Sequence, residues 1–319
     1  MSNTKENLFA HRNVFTKFLN AAATWTLHPL EVALTTRGRE EECQICFIIG
    51  PPRSGTTLLF ELLTTEFECA YFSNIAQRLY RCPVAATWLD KSAIKGRTGS
   101  FDSAYGQLSG HAAPSENGRI WRYWMPGASP YFAEGDGLEI KEMRQKIAGL
   151  CRILGSPMIV KYLHFQSEIP RIIECFPNAV FIHIERDWAE NVRSILRARQ
   201  KLNPNSHRQW FSTRPEGWEK YVDCDPVIQA CAQVALCHAE SQKNIPVSDK
   251  TIHIQYEELC EEQGASLQKV ENLFRNNKIN YKRLFTNKGK FDVREQEKFD
   301  AATEEKIRIT LEEMKARIF

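Results

Sequence analysis

Short apolar runs alternate along this chain with longer stretches whose apolar positions recur at helical spacing, a pattern that predicts strands separated by helices. The first run ends in Cys46-Phe47-Ile48-Ile49 and gives way to Gly50-Pro51-Pro52, after which Leu58, Leu59, Leu62, Leu63 and Phe67 mark one face of a helix. Ser156 to Leu163, Ala179 to Ile184 and Lys250 to Gln255 read as three further strands. Glu168 to Phe176 reads as a short helix broken near its start by Pro170, and Val227 to Asn244 as an amphipathic helix. Asp187 and Glu190 form a D-x-x-E helix start ahead of Val192, Ile195 and Leu196. Leu8, Val14, Phe15, Phe18, Leu19 and Trp25 predict one or two amphipathic helices before the first strand. The order argues an α/β fold of three layers, a central parallel sheet flanked by helices, with ligands at the C-terminal edge of the strands. The expected organisation is a single domain over 1–319, with N-terminal helices over 1–42. A lid or acceptor-site insertion is expected over about 71–150, where Pro83, Gly96, Gly99 and Gly106 interrupt a weak periodicity.

The loop after the first strand carries the most pointed chemistry. Amides at a helix start have no intrahelical partner and lie at the positive end of the helix dipole, so Ser54, Gly55, Thr56 and Thr57 offer an anion both N–H groups and hydroxyls. Gly50 and Gly55 have Walker A spacing, but Thr56 follows the second glycine where that motif has lysine, and Arg53 is the only cation of the loop. Arg186 falls at the mouth of the third strand, with Ser194 roughly 10 Å along the following helix, so both can face one crevice. From Gly110 to Phe132 the composition changes again. Arg119, Trp121, Arg122, Tyr123 and Trp124 crowd together between prolines and glycines, which suits either a pocket lining or a lid packed by its aromatics.

Charge narrows the partners. The 42 basic and 39 acidic side chains leave a net charge of +3, so no global field points to nucleic acid and any basic site must be local. Apolar residues make up 43% of the chain, enough for a substantial core. The ten cysteines follow no framework pattern, and the Cys43/Cys46 pair runs into a strand, so the thiols read as packed and reduced. The opening residues lack the apolar core of a signal peptide, and no stretch approaches the ~18 apolar residues of a membrane span, so the expectation is a cytoplasmic protein without a membrane partner.

Pro52-Arg53-Ser54-Gly55-Thr56-Thr57 resembles the donor loop of the sulfotransferases that use 3'-phosphoadenosine 5'-phosphosulfate, and further matches extend from Lys161 to Gly289. The resemblance implies that Arg186 and Ser194 hold the donor's 3'-phosphate, although Trp188 stands where the family has proline. It implies that Lys161 assists the bridging oxygen, that Tyr256 lies near the nucleotide, and that Lys288 and Gly289 close over the 3'-phosphate, with Asn287 in place of the family's arginine. The expected reaction moves a sulfuryl group to a hydroxyl or amine of a small-molecule or carbohydrate acceptor and leaves 3'-phosphoadenosine 5'-phosphate. No metal-ligand cluster stands out, and none is required. Glu116, His111 and His164 are the candidate bases, Glu116 favoured by the resemblance; His111, Arg119, Trp121, Arg122 and Trp124 are the candidate acceptor lining. The competing readings are a P-loop kinase or NTPase, and a nucleotide-binding module without catalysis.

Overall fold

The computed structural model describes residues 22–37, 44–99, 101, 103–104, 107–125, 137–202, 210–284, 291–293 and 296–318. Helix α1 spans 22–35. Strand β1 (Ile45–Ile49) leads into α2 (Thr56–Glu66), followed by β2 (Phe67–Glu68), α3 (Asn74–Arg78), α4 (Pro83–Leu89) and α5 (Lys91–Lys95). The strand pair β3 (Ser103–Ala104) and β4 (Gln107–Leu108) precedes α6 (Gly118–Trp124) and α7 (Ile140–Leu154). Then come β5 (Met158–Lys161), α8 (Ile169–Cys175), β6 (Val180–Glu185), α9 (Trp188–Leu202), α10 (Pro226–Asn244) and β7 (Thr251–Gln255). The chain closes with α11 (Tyr256–Glu261), α12 (Gln263–Asn276), β8 (Lys282–Arg283) and α13 (Ala301–Ile318).

Four strands form the central sheet in the order β5-β1-β6-β7, every pairing parallel. All five residues of β1 are buried, as an inner parallel strand covered on both faces requires. Phe47 centres an aromatic cluster on one face, 5.2 Å from Phe165 and 5.9 Å from Phe181 between ring centroids. Leu59, Leu62 and Leu63 of α2 belong to the same continuous core. A second apolar cluster joins Val192 and Ile195 of α9, Ala230 and Val234 of α10, and Ile307 and Leu311 of α13. Because β5 lies on one side of β1 and β6 on the other, the strand order reverses at β1, and the crevice beyond the C-terminal strand ends opens there.

Pro170 does not break α8. It occupies the first helical turn, where its missing N–H would have had no partner anyway. Asp187 does cap the start of α9, its carboxylate accepting from the Glu190 amide at 2.9 Å. Glu190 does not reach back to complete a capping box; Glu257 takes the Asp187 amide instead, at 3.3 Å. Cys46 is buried and its thiol pKa is pushed up by burial, while Cys43 lies outside the described residues. Among the described residues, no helix is long and apolar enough to cross a membrane.

Candidate active site

Two glycines fix the path of the loop between β1 and α2. A Cβ on Gly50 would stand 2.4 Å from the Ile184 carbonyl oxygen, and one on Gly55 would stand 2.4 Å from the ring of Tyr256. Gly55 also has φ of 96°, in the left-handed region that glycine tolerates. Arg53 has φ of 68° without that freedom, so its backbone is held by its surroundings. Asn191 of α9 supplies part of that hold, donating from Nδ2 to the Pro52 carbonyl at 2.7 Å. The first turn of α2 contains no acidic residue, so the helix itself does not offset the positive end of its dipole. Ser54 is wholly buried, and its Oγ has no hydrogen-bond partner among the described residues.

Three cations converge on this loop. Arg53 donates from Nε to Ser194 Oγ at 3.2 Å, which brings the loop arginine onto α9. Arg186 donates to the Arg53 carbonyl at 3.5 Å, and its guanidinium sits 4.5 Å over the Tyr256 ring. Glu190 Oε2 lies 3.5 Å from the same guanidinium. Lys161, at the end of β5 and only 1% exposed, donates from Nζ to Thr57 Oγ1 at 2.9 Å and to Glu116 Oε1. Lys161 reaches Thr57 because β5 pairs with β1 in register, Ile48 opposite Lys161, so the strand ends just beside the start of α2. The resulting cleft encloses about 450 Å³. Arg53, Gly55, Thr56, Thr57, Glu116, Lys161, Arg186, Ser194 and Tyr256 all line it.

The remaining candidates stand elsewhere. Trp121 and Trp124 do not line the cleft; both are fully buried in the core against Phe72, and Trp121 packs on Phe165 with centroids 4.8 Å apart. The reason is helical periodicity. Residues 118–124 form α6, and Ile120, Trp121 and Trp124 face inward while Arg119, Arg122 and Tyr123 remain exposed. His111 is also outside the cleft, its side chain 63% exposed and its Nε2 3.2 Å from Asp90 Oδ1. His164 does not line the cleft either, although its neighbour Leu163 does. Burial, reinforced by the positive charges of Arg122 and Arg214, pushes its imidazole pKa down to about 4, so it is neutral at pH 7 but a weak proton acceptor. Lys288 and Gly289 lie outside the described residues.

The cleft has further walls that the sequence did not single out. Phe101 and Phe291 meet with ring centroids 5.0 Å apart and both line it, as do Phe211, Ser212, Asp292 and Gln296. Glu61 also lines it, paired with Arg97 at 2.7 Å. These residues come from segments far apart in the chain, and no local motif announces them; Asn191, the loop anchor, differs only in sitting on the buried face of an amphipathic helix.

The arrangement brings amides, hydroxyls and three cations together, with the carboxylates of Glu61, Glu116 and Asp292 also in the cleft lining, a chemistry able to hold an anion. No curated protein matches the chain. Solved structures that resemble it include sulfotransferase STF9 from Mycobacterium avium, at 15% identity and a TM-score of 0.45, covering 92% of this chain and 72% of that one. They also include sulfotransferase STF1 from Mycobacterium tuberculosis, at 14% identity and a TM-score of 0.44, covering 82% and 73%. A sulfotransferase domain from the curacin biosynthetic pathway resembles it at 16% identity and a TM-score of 0.40, covering 73% and 74%. The family model described as the sulfotransferase family matches residues 46–275, from within β1 into α12. The chain belongs to the sulfotransferase family.

Proposed function

We propose that this protein transfers a sulfuryl group from 3'-phosphoadenosine 5'-phosphosulfate to a hydroxyl or amine of a small-molecule or carbohydrate acceptor. The observation that carries the reading is the meeting of Lys161, Thr57 and Glu116 beside the open amides of α2. A lysine and a helix start together favour negative charge, and a carboxylate next to them can take a proton. One observation on the loop supports a phosphate-bearing donor: Ser54 Oγ is buried without a hydrogen-bond partner among the described residues, while Gly50 and Gly55 let the loop pack directly on Ile184 and Tyr256.

When bound, the donor supplies the sulfuryl group and departs as 3'-phosphoadenosine 5'-phosphate. Arg53, Ser54, Gly55, Thr56 and Thr57 would hold its 5'-phosphate end, Arg186 and Ser194 its 3'-phosphate, and Tyr256 would border the nucleotide. Lys161 would stabilise negative charge arriving where the sulfuryl group leaves, a group held in place rather than reorganised at the moment of reaction. Its near-complete burial strengthens that effect, because the same charge in water would be screened. Glu116 would receive the acceptor's proton; as the most solvent-accessible member of the Lys161–Glu116 pair, it can return that proton to water. The exposed Arg119 and Arg122 would flank the approach of the acceptor, while Lys288 and Gly289 would close over the donor.

The test combines transfer and binding. Incubation with sulfur-labelled donor and a panel of hydroxylated acceptors should yield labelled product. 3'-Phosphoadenosine 5'-phosphate should raise the melting temperature while ATP, lacking the 3'-phosphate, raises it far less. Equal stabilisation by both nucleotides, with phosphoryl rather than sulfuryl transfer, would instead support a kinase.

A further inference from the structure

The sheet edge beyond the donor cleft gathers three histidines and a glutamate that the reaction does not use. Alternation along β6 sets Phe181, His183 and Glu185 on one face of the sheet. The parallel register continues that face into β7, with His183 opposite His253 and Glu185 opposite Gln255. His238 reaches the same place from α10, and Trp188 stacks on it with ring centroids 4.5 Å apart and planes 16° apart.

The distances within this cluster have a specific form. His183 Nδ1 lies 3.2 Å from His253 Nδ1 and 3.5 Å from Glu185 Oε1. One donor atom from each of these three residues fits in a group no more than 4.8 Å across. Around a tetrahedral zinc ion with bonds of about 2.0–2.1 Å, neighbouring donor atoms stand about 3.3 Å apart, so the observed nitrogen–nitrogen and nitrogen–oxygen separations match edges of such a tetrahedron. Further groups orient the carboxylate: His238 Nδ1 lies 3.3 Å from Glu185 Oε1, and Gln255 Nε2 donates to Oε2 at 3.1 Å.

We propose that His183, Glu185 and His253 form a binding site for a zinc-class divalent cation, separate from the donor cleft, with water completing the coordination. Two imidazoles and one carboxylate suit zinc; magnesium and calcium favour oxygen ligands throughout. His253 and Gln255 are exposed on the edge strand, which gives an ion a route in from solvent. A cation there ties β6 to β7 at the residue before Arg186, and thereby braces the strand end from which that arginine projects.

The test uses full-length protein stripped with a chelator and titrated with zinc chloride against a chromogenic competitor. Wild type should bind one zinc ion per chain at the site and gain melting temperature with zinc but not with magnesium chloride. His253→Ala should weaken that binding at least tenfold and abolish the thermal gain, since loss of a direct ligand costs no less than loss of the groups that orient one. The side chain is exposed, so the substitution leaves the core intact. Glu185→Gln should weaken binding likewise. Cobalt bound at the same place should show ligand-field bands without a thiolate charge-transfer band. Zinc binding undiminished in His253→Ala, a thiolate band with cobalt, or the absence of zinc-dependent stabilisation in wild type would each overturn the proposal.

Discussion

Arg186 is buried among a tyrosine ring, a glutamate and a backbone carbonyl, so its guanidinium is oriented before any ligand arrives. A charged hydrogen bond to a non-reacting phosphate binds ground and transition states alike. Arg186→Ala should therefore weaken donor binding by roughly ten- to a hundredfold, from about 1.5–3 kcal/mol, with the turnover of the saturated enzyme nearly unchanged. Isothermal titration beside saturation kinetics separates the two, and unaltered donor affinity would remove Arg186 from the site. Glu116 makes the opposite prediction. Glu116→Gln keeps the shape beside Lys161 but removes the proton acceptor, so turnover should fall ~10²- to 10⁴-fold while donor affinity persists. Near-normal turnover in Glu116→Gln, with activity abolished in His164→Ala, would transfer the role of base to the histidine.

At the scale of elements, the strands were the most legible part of the sequence. Apolar runs flanked by turn residues mark β1, β5 and β6 to within a few residues, because these strands are buried on both faces and need apolar side chains almost throughout, while β7, a partly exposed edge strand, is marked by its alternating Ile252 and Ile254. For segment 118–124 the composition leaves open a pocket lining or a lid packed by its aromatics, and the tryptophans take the second course: seven residues beginning at Gly118 form one short helix whose tryptophans complete the core. α13 is hard to see among its charges: Ile307, Leu311 and Met314 have the ordinary i, i+4, i+7 spacing, but only three buried apolar side chains make the stripe, and the contact with α9 and α10 is what reveals it. Likewise the cluster of His183, Glu185 and His253 exists only once β6 and β7 pair, so nothing local in the sequence could announce it. The loop between β1 and α2, by contrast, is written into adjacent residues, and its geometry is correspondingly unforgiving. Gly55→Ala would force a methyl group against the Tyr256 ring at φ of 96° and should cost about 1–3 kcal/mol of stability. Donor binding should fall with it, readable as a lost thermal shift; a variant that melts and binds as wild type does would show that the loop relaxes freely.

Across the whole molecule, one carboxylate joins parts of the chain that no single motif connects. Glu190 faces Arg186 at 3.5 Å, pairs with Arg193 at 2.7 Å and accepts the Gln296 amide at 2.7 Å; Arg193 in turn pairs with Glu304 of α13 at 2.6 Å. A phosphate arriving at Arg186 would compete with Glu190 for that guanidinium, leaving the glutamate to strengthen its remaining bonds toward residues 296–304. The C-terminal helix would then report on a ligand that it never touches. Amide hydrogen exchange across residues 296–310 should slow when 3'-phosphoadenosine 5'-phosphate is added, and Glu190→Gln should erase that protection while a bound-state signal survives at the loop before α2. Exchange at the C-terminus indifferent to nucleotide would show that the ion-pair chain ends at Glu190, and that the last helix serves packing alone.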